Sequence, residues 1–348
     1  MQALIHQWGR FIWWVDHLSA REAAMLGAVG LALITGIGKY FLVPLLNWAF
    51  TLLSKRLYPI VSSAFLFNRL VALPKYCKSI RTTVGRLRNP WLLEGQELRD
   101  IFVPVSVSRG LGSSEHCDVR HLLGTLRAVM IVGDPGSGKT TALKAVAMTC
   151  LQQDARGSGY VPLYIPLRAW GLAGVDLMKH TEELFRDNNF PNAGGYIKKL
   201  RRQGRIAFLL DGLDEIDESN KSFVVSQIRT LLREESHTSG CPAYITSRPV
   251  GYDGQFSDLI QDTAYMDDFT PTQIQQFIGN WDFRAPKTGA KLCQALLSRP
   301  SILLICRNPL MLTIVTSLYR ETEDQLPDSR DAFYKVCIQA LLTRWDAA

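Results

Sequence analysis

The chain has no pair of cysteines spaced as C-x-x-C. Its seven cysteines, at 77, 117, 150, 241, 293, 306 and 337, are odd in number and scattered. That excludes a paired-cysteine zinc site and argues for reduced thiols in a cytosolic compartment. His116, Cys117 and His121 lie close together but lack a second ligand pair, so an ordinary loop is expected there. Internal repeats and low-complexity segments are also missing, which removes solenoid arrays. Acidic residues are absent between Ser54 and Pro90, where Lys55, Arg56, Arg69, Lys75, Lys78, Arg81, Arg86 and Arg88 stand uncompensated. Without those eight, 31 basic residues remain against 32 acidic ones, so the net charge of +7 is local. A nucleic-acid partner is not indicated.

Charge is missing again from Ala23 to Gly38, and after Lys39 the chain stays apolar to Leu53. A membrane helix needs roughly 20 apolar residues. A span is therefore expected near 23–42 within an anchor over 23–53, with Lys39 snorkelling and Pro44 bending the chain beyond it. The competing readings are a signal peptide and a buried soluble helix. A signal peptide would want a basic start and a small-residue cleavage site. Instead an amphipathic segment over 1–22 precedes the span, with Trp8, Trp13 and Trp14 suited to a membrane interface. The basic run lies after the span, so the positive-inside rule places the N-terminus outside and everything from Ser54 onward in the cytoplasm. That run, with Phe65, Leu66 and Phe67, either lies on anionic lipid headgroups or is a solvated linker. Ala24, Ala28, Ala32 and Gly36 put small side chains on one face, a stripe that allows two such spans to associate.

The chemistry begins at Gly133-Asp134-Pro135-Gly136-Ser137-Gly138-Lys139-Thr140. Ala128-Val129-Met130-Ile131-Val132 precedes it as a strand, and Thr141 to Ala147 follows with helical spacing. Strand, G-x-x-x-x-G-K-T and helix make a phosphate loop. Glycines let the backbone amides converge on phosphate oxygens, and the new helix adds its positive end. Lys139 supplies a charge for the β- and γ-phosphates, and Thr140 a hydroxyl for Mg²⁺.

Further strands are expected at Ile101–Val107, Tyr160–Leu167, Arg205–Asp211 and Ala243–Ser247, with helical stretches at 176–187 and 193–203 between them. Continuously apolar strands alternating with helices predict an α/β fold with a mostly parallel sheet covered on both faces. Ligands then sit at the carboxyl ends of the strands. Asp211 falls there, about 70 residues after the phosphate loop, and is suited to hold Mg²⁺. Gly212 leaves room for the metal shell, and Asp214 and Glu215 are both placed to orient water. Arg248 ends another strand, where its planar fork could meet the γ-phosphate. From Thr270 the pattern is helical, with Thr270 as cap and Pro271 just inside.

Gly133–Thr140, Asp211-Gly212-Leu213-Asp214-Glu215 and Thr246-Ser247-Arg248-Pro249 together resemble the NACHT domains of the STAND class of P-loop NTPases. Tyr160 to Trp170 and Arg307-Asn308-Pro309-Leu310-Met311-Leu312 extend the resemblance to roughly 98–346. It implies that Pro309 meets adenine, that Arg248 is a sensor arginine, and that the chain oligomerises in the ATP state, with a role in defence signalling. It looks like a bacterial, membrane-anchored member. A winged helix and a sensor usually follow in that family; here the sequence ends at Ala348.

The expected division is an interfacial segment over 1–22, an anchor over 23–53, a basic linker over 54–95, a nucleotide-binding domain over 96–269 and a helical domain over 270–348. The expected ligands are ATP, bound through residues 133–141 and Pro309, and Mg²⁺, held by Thr140 and Asp211. ATP is preferred to GTP because no N-K-x-D motif is present. The function expected is a slowly hydrolysing, membrane-tethered switch that works with membrane lipids, other copies of itself and an effector or sensor protein. An ATP-binding scaffold and a transport-coupled ATPase are the alternatives.

Overall fold

The computed structural model describes residues 68–86, 98–109, 116–122, 127–154, 159–237, 240–283, 286–321 and 329–345. All of them lie in one unit, Phe65–Ala348. The interfacial segment 1–22, the span 23–53 and Phe65–Phe67 lie outside the described residues. Among the described residues, no helix is long and apolar enough to cross a membrane.

Helix α1 (Leu73–Gly85) corrects part of the expected linker over 54–95. Leu73, Tyr76, Ile80 and Val84 recur at helical spacing and are buried. The Tyr76 ring stacks on Phe185 with centroids 4.1 Å apart, and its hydroxyl donates to the Pro162 carbonyl at 2.9 Å. Lys78 and Arg81 remain exposed. The basic composition masked an apolar stripe that makes this helix part of the sheet domain's core.

Helix α2 (Leu98–Ile101) and strand β1 (Ser106–Arg109) replace the single strand expected over 101–107. Pro104 has no N–H to give a ladder, so residues 102–105 run irregularly and pairing begins only at Ser106. Strand β2 (His116–Asp118) pairs antiparallel with β1, where a loop was expected. His116 Nδ1 lies 2.8 Å from the Asp267 carboxylate.

The central elements include every strand and helix expected between residues 128 and 247, together with two helices and a strand that were not expected. They are β3 (Ala128–Val132), α3 (Lys139–Asp154), β4 (Val161–Pro166), α4 (Leu167–Ala173), α5 (Leu177–Asp187) and α6 (Gly194–Arg202). Next come β5 (Ile206–Asp211), α7 (Glu218–His237), β6 (Ala243–Ser247) and β7 (Asp262–Met266). The Asp176 side chain caps α5 by accepting from the Met178 and Lys179 amides.

The seven strands are ordered β2-β1-β7-β3-β6-β5-β4. Pairs β7–β3, β3–β6, β6–β5 and β5–β4 are parallel, whereas β1 is antiparallel to both neighbours. Successive strand residues point to opposite faces. Every residue of β3, β5 and β6 is buried, so both faces of the sheet centre are covered. Each fully buried aliphatic side chain there is worth roughly 1.5–3 kcal/mol. A carboxylate in place of Ile131 would end that packing.

The helical part comprises α8 (Pro271–Gly279), α9 (Gly289–Leu297), α10 (Pro300–Ile305), α11 (Pro309–Glu321) and α12 (Arg330–Trp345). Thr270 starts α8 with a capping box: its hydroxyl accepts from Gln273 N at 3.2 Å, and Gln273 Oε1 accepts from Thr270 N at 2.8 Å. Gln273 Nε2 then donates to the Pro104 carbonyl at 2.8 Å. Val103 and Val105 pack in the same core as Phe269, Phe277, Leu312 and Phe333. The irregular segment before β1 is thus a strap between sheet and helices.

Candidate nucleotide site

Both expected strand ends open into one cleft of about 520 Å³ between the sheet and the helical part. That volume lies within the usual range for a small-molecule site. Lys139, Thr140, Thr141, Asp211, Asp214, Glu215 and Arg248 line one side, together with Pro135, Gly136 and Gly138 of the loop. Phe102, Val105, Phe269, Phe277, Pro309 and Thr313 line the other.

The loop is shaped by its own hydrogen bonds. Ser137 N donates to the Asp134 carbonyl at 3.1 Å, and Gly133 N donates to the Ser247 carbonyl at 3.2 Å, fixing the loop's start to β6. Gly136 has φ +78°, and a Cβ there would lie 2.7 Å from Leu310 Cβ. Conformation and close approach both demand glycine. Lys139 Nζ folds back onto the carbonyls of Gly133 and Asp134 at 2.7 and 3.0 Å. Burial lowers the Lys139 pKa, while the carboxylates of Asp214 and Asp211 favour its charged form.

Asp211, at the end of β5, is buried and accepts on both oxygens. Thr246 Oγ1 donates to Oδ1 and the Tyr164 hydroxyl to Oδ2, each at 2.7 Å. Thr246 Oγ1 also accepts from Gly212 N at 2.8 Å. Burial and the neighbouring Asp211 carboxylate raise the Tyr164 pKa, so the phenol keeps its proton and remains a donor. The sequence gives no role to Tyr164, nor to Thr246, which is quoted there only as part of the motif ending at Pro249. The available signal was a hydroxyl near the end of an otherwise apolar strand.

Gly212, with φ +82°, turns the chain so that Asp214 and Glu215 follow in a short 3₁₀ turn. A Cβ at Gly212 would lie 3.2 Å from the Glu215 carboxyl group, so the close neighbour shown here is a side chain. Asp214 is held on both oxygens: Oδ1 accepts from Arg248 N at 3.0 Å, and Oδ2 lies 3.0 Å from Arg248 Nε. Glu215 is exposed and lines the cleft. The structure therefore brings Asp214 and Arg248 into an ion pair and leaves Glu215 at the cleft wall.

Pro309 begins α11 and lines the apolar side. Its neighbour Asn308, quoted in the motif but given no role from the sequence, caps that helix and bonds to the loop. The residues fit the expected ligands. Ser137 Oγ, inside the loop, is buried without a partner, as is expected of a cradle for an anion. The Thr140 hydroxyl and Asp211 carboxylate face the same cleft as hard oxygen donors, the set that suits Mg²⁺.

Residues 127–284 match the family model of the NACHT domain. No curated protein matches the chain. Among solved structures, that of C. elegans PCH-2 is similar at 14% identity, covering 63% of this chain and 67% of that one, with a TM-score of 0.36.

Proposed function

Starting from the match of residues 127–284 to the NACHT-domain model, we propose that the chain is a nucleotide-binding P-loop NTPase, a slowly hydrolysing ATP switch tethered to a membrane. One observation carries the nucleotide part of this reading, and the tether rests on the expected anchor over 23–53. The phosphate loop, the Asp211 carboxylate and an apolar wall from the helical part line a single cleft. A triphosphate on one side and a base on the other would join the two parts.

The roles come from the positions. Lys139 would leave the Gly133 and Asp134 carbonyls for the β- and γ-phosphates, exchanging two neutral acceptors for charged ones. Thr140 and Asp211 would hold Mg²⁺, which supplies charge neutralisation on the phosphates when bound. Thr246 and Tyr164 keep the Asp211 carboxylate in place. Glu215, and Asp214 once Arg248 has left it, would both be placed to orient the attacking water. Arg248 would exchange Asp214 for the γ-phosphate, giving it the part of a sensor. Thr141 contributes at the start of α3, and Pro309 meets the base.

The anchor over 23–53 would hold the NTPase domain at the cytoplasmic face, with membrane lipids as its first partner. Assembly of several copies in the ATP state would present an effector or sensor protein with a multivalent surface. Defence signalling rests on the family resemblance alone. A second reading, an ATP-binding scaffold with negligible hydrolysis, is favoured by the Asp214–Arg248 pair. If it holds, replacing Asp214 and Glu215 leaves function intact whereas Lys139→Ala abolishes it.

The testing experiment is light scattering of the detergent-solubilised chain with ADP and then with a non-hydrolysable ATP analogue. Growth to a defined oligomer with the analogue alone, lost in Lys139→Ala, is expected. An unchanged monomer in both states would refute the switch.

A further inference from the structure

The start of α11 grips the phosphate loop from its outer side. Asn308 Nδ2 donates to the Pro135 carbonyl at 3.0 Å. Asn308 Oδ1 accepts from the amides of Leu310 and Met311 at 3.0 and 3.3 Å, which caps the helix. The Leu310 amide donates in addition to the Gly136 carbonyl at 3.2 Å. Two consecutive loop carbonyls are thereby held outward, toward the helical part.

A trans peptide is planar, and its N–H points opposite to its C=O. Holding the Pro135 and Gly136 carbonyls outward aims the Gly136 amide away from α11, into the loop, and turns the Ser137 amide inward as well, where it closes the turn on the Asp134 carbonyl at 3.1 Å. That is the direction an anion cradle requires. The grip also depends on Gly136, since a Cβ there would lie 2.8 Å from Asn308 Oδ1. Asparagine alone among good helix caps carries an acceptor for the helix amides and a separate donor for a carbonyl. Aspartate and serine cap equally well, but aspartate has no donor when ionised, and serine is one atom too short to serve both partners.

We propose that Asn308 is a positioning residue of the nucleotide site, tying the seating of the helical part to the loop conformation that receives phosphate. This rests on the nucleotide reading above. It places the coupling between loop and helices in a neutral side chain that does not line the cleft.

The test measures binding of a non-hydrolysable ATP analogue, and of magnesium tripolyphosphate, to the full chain. Asn308→Asp and Asn308→Ser are compared with the wild type, with Lys139→Ala as the control for phosphate binding. Both Asn308 variants keep a helix cap, so their melting temperatures without ligand should stay within a few degrees of wild type. Both should bind the analogue and tripolyphosphate roughly tenfold more weakly. The serine variant adds no charge and so separates a lost donor from a new repulsion. Wild-type affinity for tripolyphosphate in Asn308→Ser would overturn the proposal, since Asn308 would then serve the base or the helix only. A fall in melting temperature of more than about 10 °C in that variant would also overturn it, making Asn308 a folding residue. Wild-type protein that binds neither ligand would instead refute the nucleotide reading itself.

Discussion

On the sheet side of the cleft, polar groups are tied to one another before any ligand arrives. Asp211 is held by two hydroxyls, Asp214 by both the backbone and the guanidinium of Arg248, and Lys139 by two carbonyls. On the helical side, Phe102, Val105, Phe269, Phe277 and Pro309 offer shape and apolar area without directional partners. The first side can fix an anion's position to a fraction of an ångström, because hydrogen bonds weaken steeply with angle. The second can only favour a flat apolar group by burial. A ligand that is a phosphate chain at one end and a heteroaromatic base at the other satisfies both. Its base would fall where the two parts of the chain meet.

The contrast can be broken at either end. The largest effect is expected from Lys139→Ala, which should weaken binding of the ATP analogue about 100-fold or more, in line with about 3 kcal/mol for a half-buried charge partner. Equilibrium titration reads this, and tripolyphosphate should lose as much. Asp211→Asn should weaken the dependence on Mg²⁺: chelating the metal should reduce nucleotide affinity about tenfold in wild type and hardly at all in the variant. Phe102→Ala, which trims a half-buried ring from the apolar wall, should cost the analogue about five- to tenfold and tripolyphosphate nothing. Equal losses with both ligands would erase the distinction between the two sides. Tyr164→Phe is the smallest change. It removes one donor from a buried carboxylate, and should lower stability by about 1 kcal/mol and the melting temperature by a few degrees.

The same division explains what could be read from the sequence. The phosphate side is encoded within short windows, 133–141 and 211–215; Pro135, Gly136, Gly138, Lys139, Thr140, Thr141, Asp211, Gly212, Asp214 and Glu215 share the cleft, whereas Gly133, Asp134 and Ser137 do not line it. The parallel core was legible because β3, β5 and β6 are apolar throughout and therefore buried on both faces. The antiparallel edge was not: β2 is only His116–Asp118, and β7 opens on the polar pair Asp262-Thr263, so neither shows a strand period. The apolar wall is assembled from residues near 102, 269, 277 and 309, which only folding brings together. Helix α1 was hidden because its basic residues drew attention from the buried stripe at Leu73, Tyr76, Ile80 and Val84. Asn308 was hidden for a different reason. Its two hydrogen-bond roles point in opposite directions, one along its own helix and one across 173 residues of sequence to Pro135.

The most direct test of a base held between sheet and helices is photolabelling of the chain with 8-azido-ATP, followed by identification of the labelled peptides. Label on peptides containing residues 98–105, 269–277 or 309–313, competed by ATP and lost in Lys139→Ala, is the predicted result. Label confined to peptides elsewhere, or unchanged in Lys139→Ala, would contradict it.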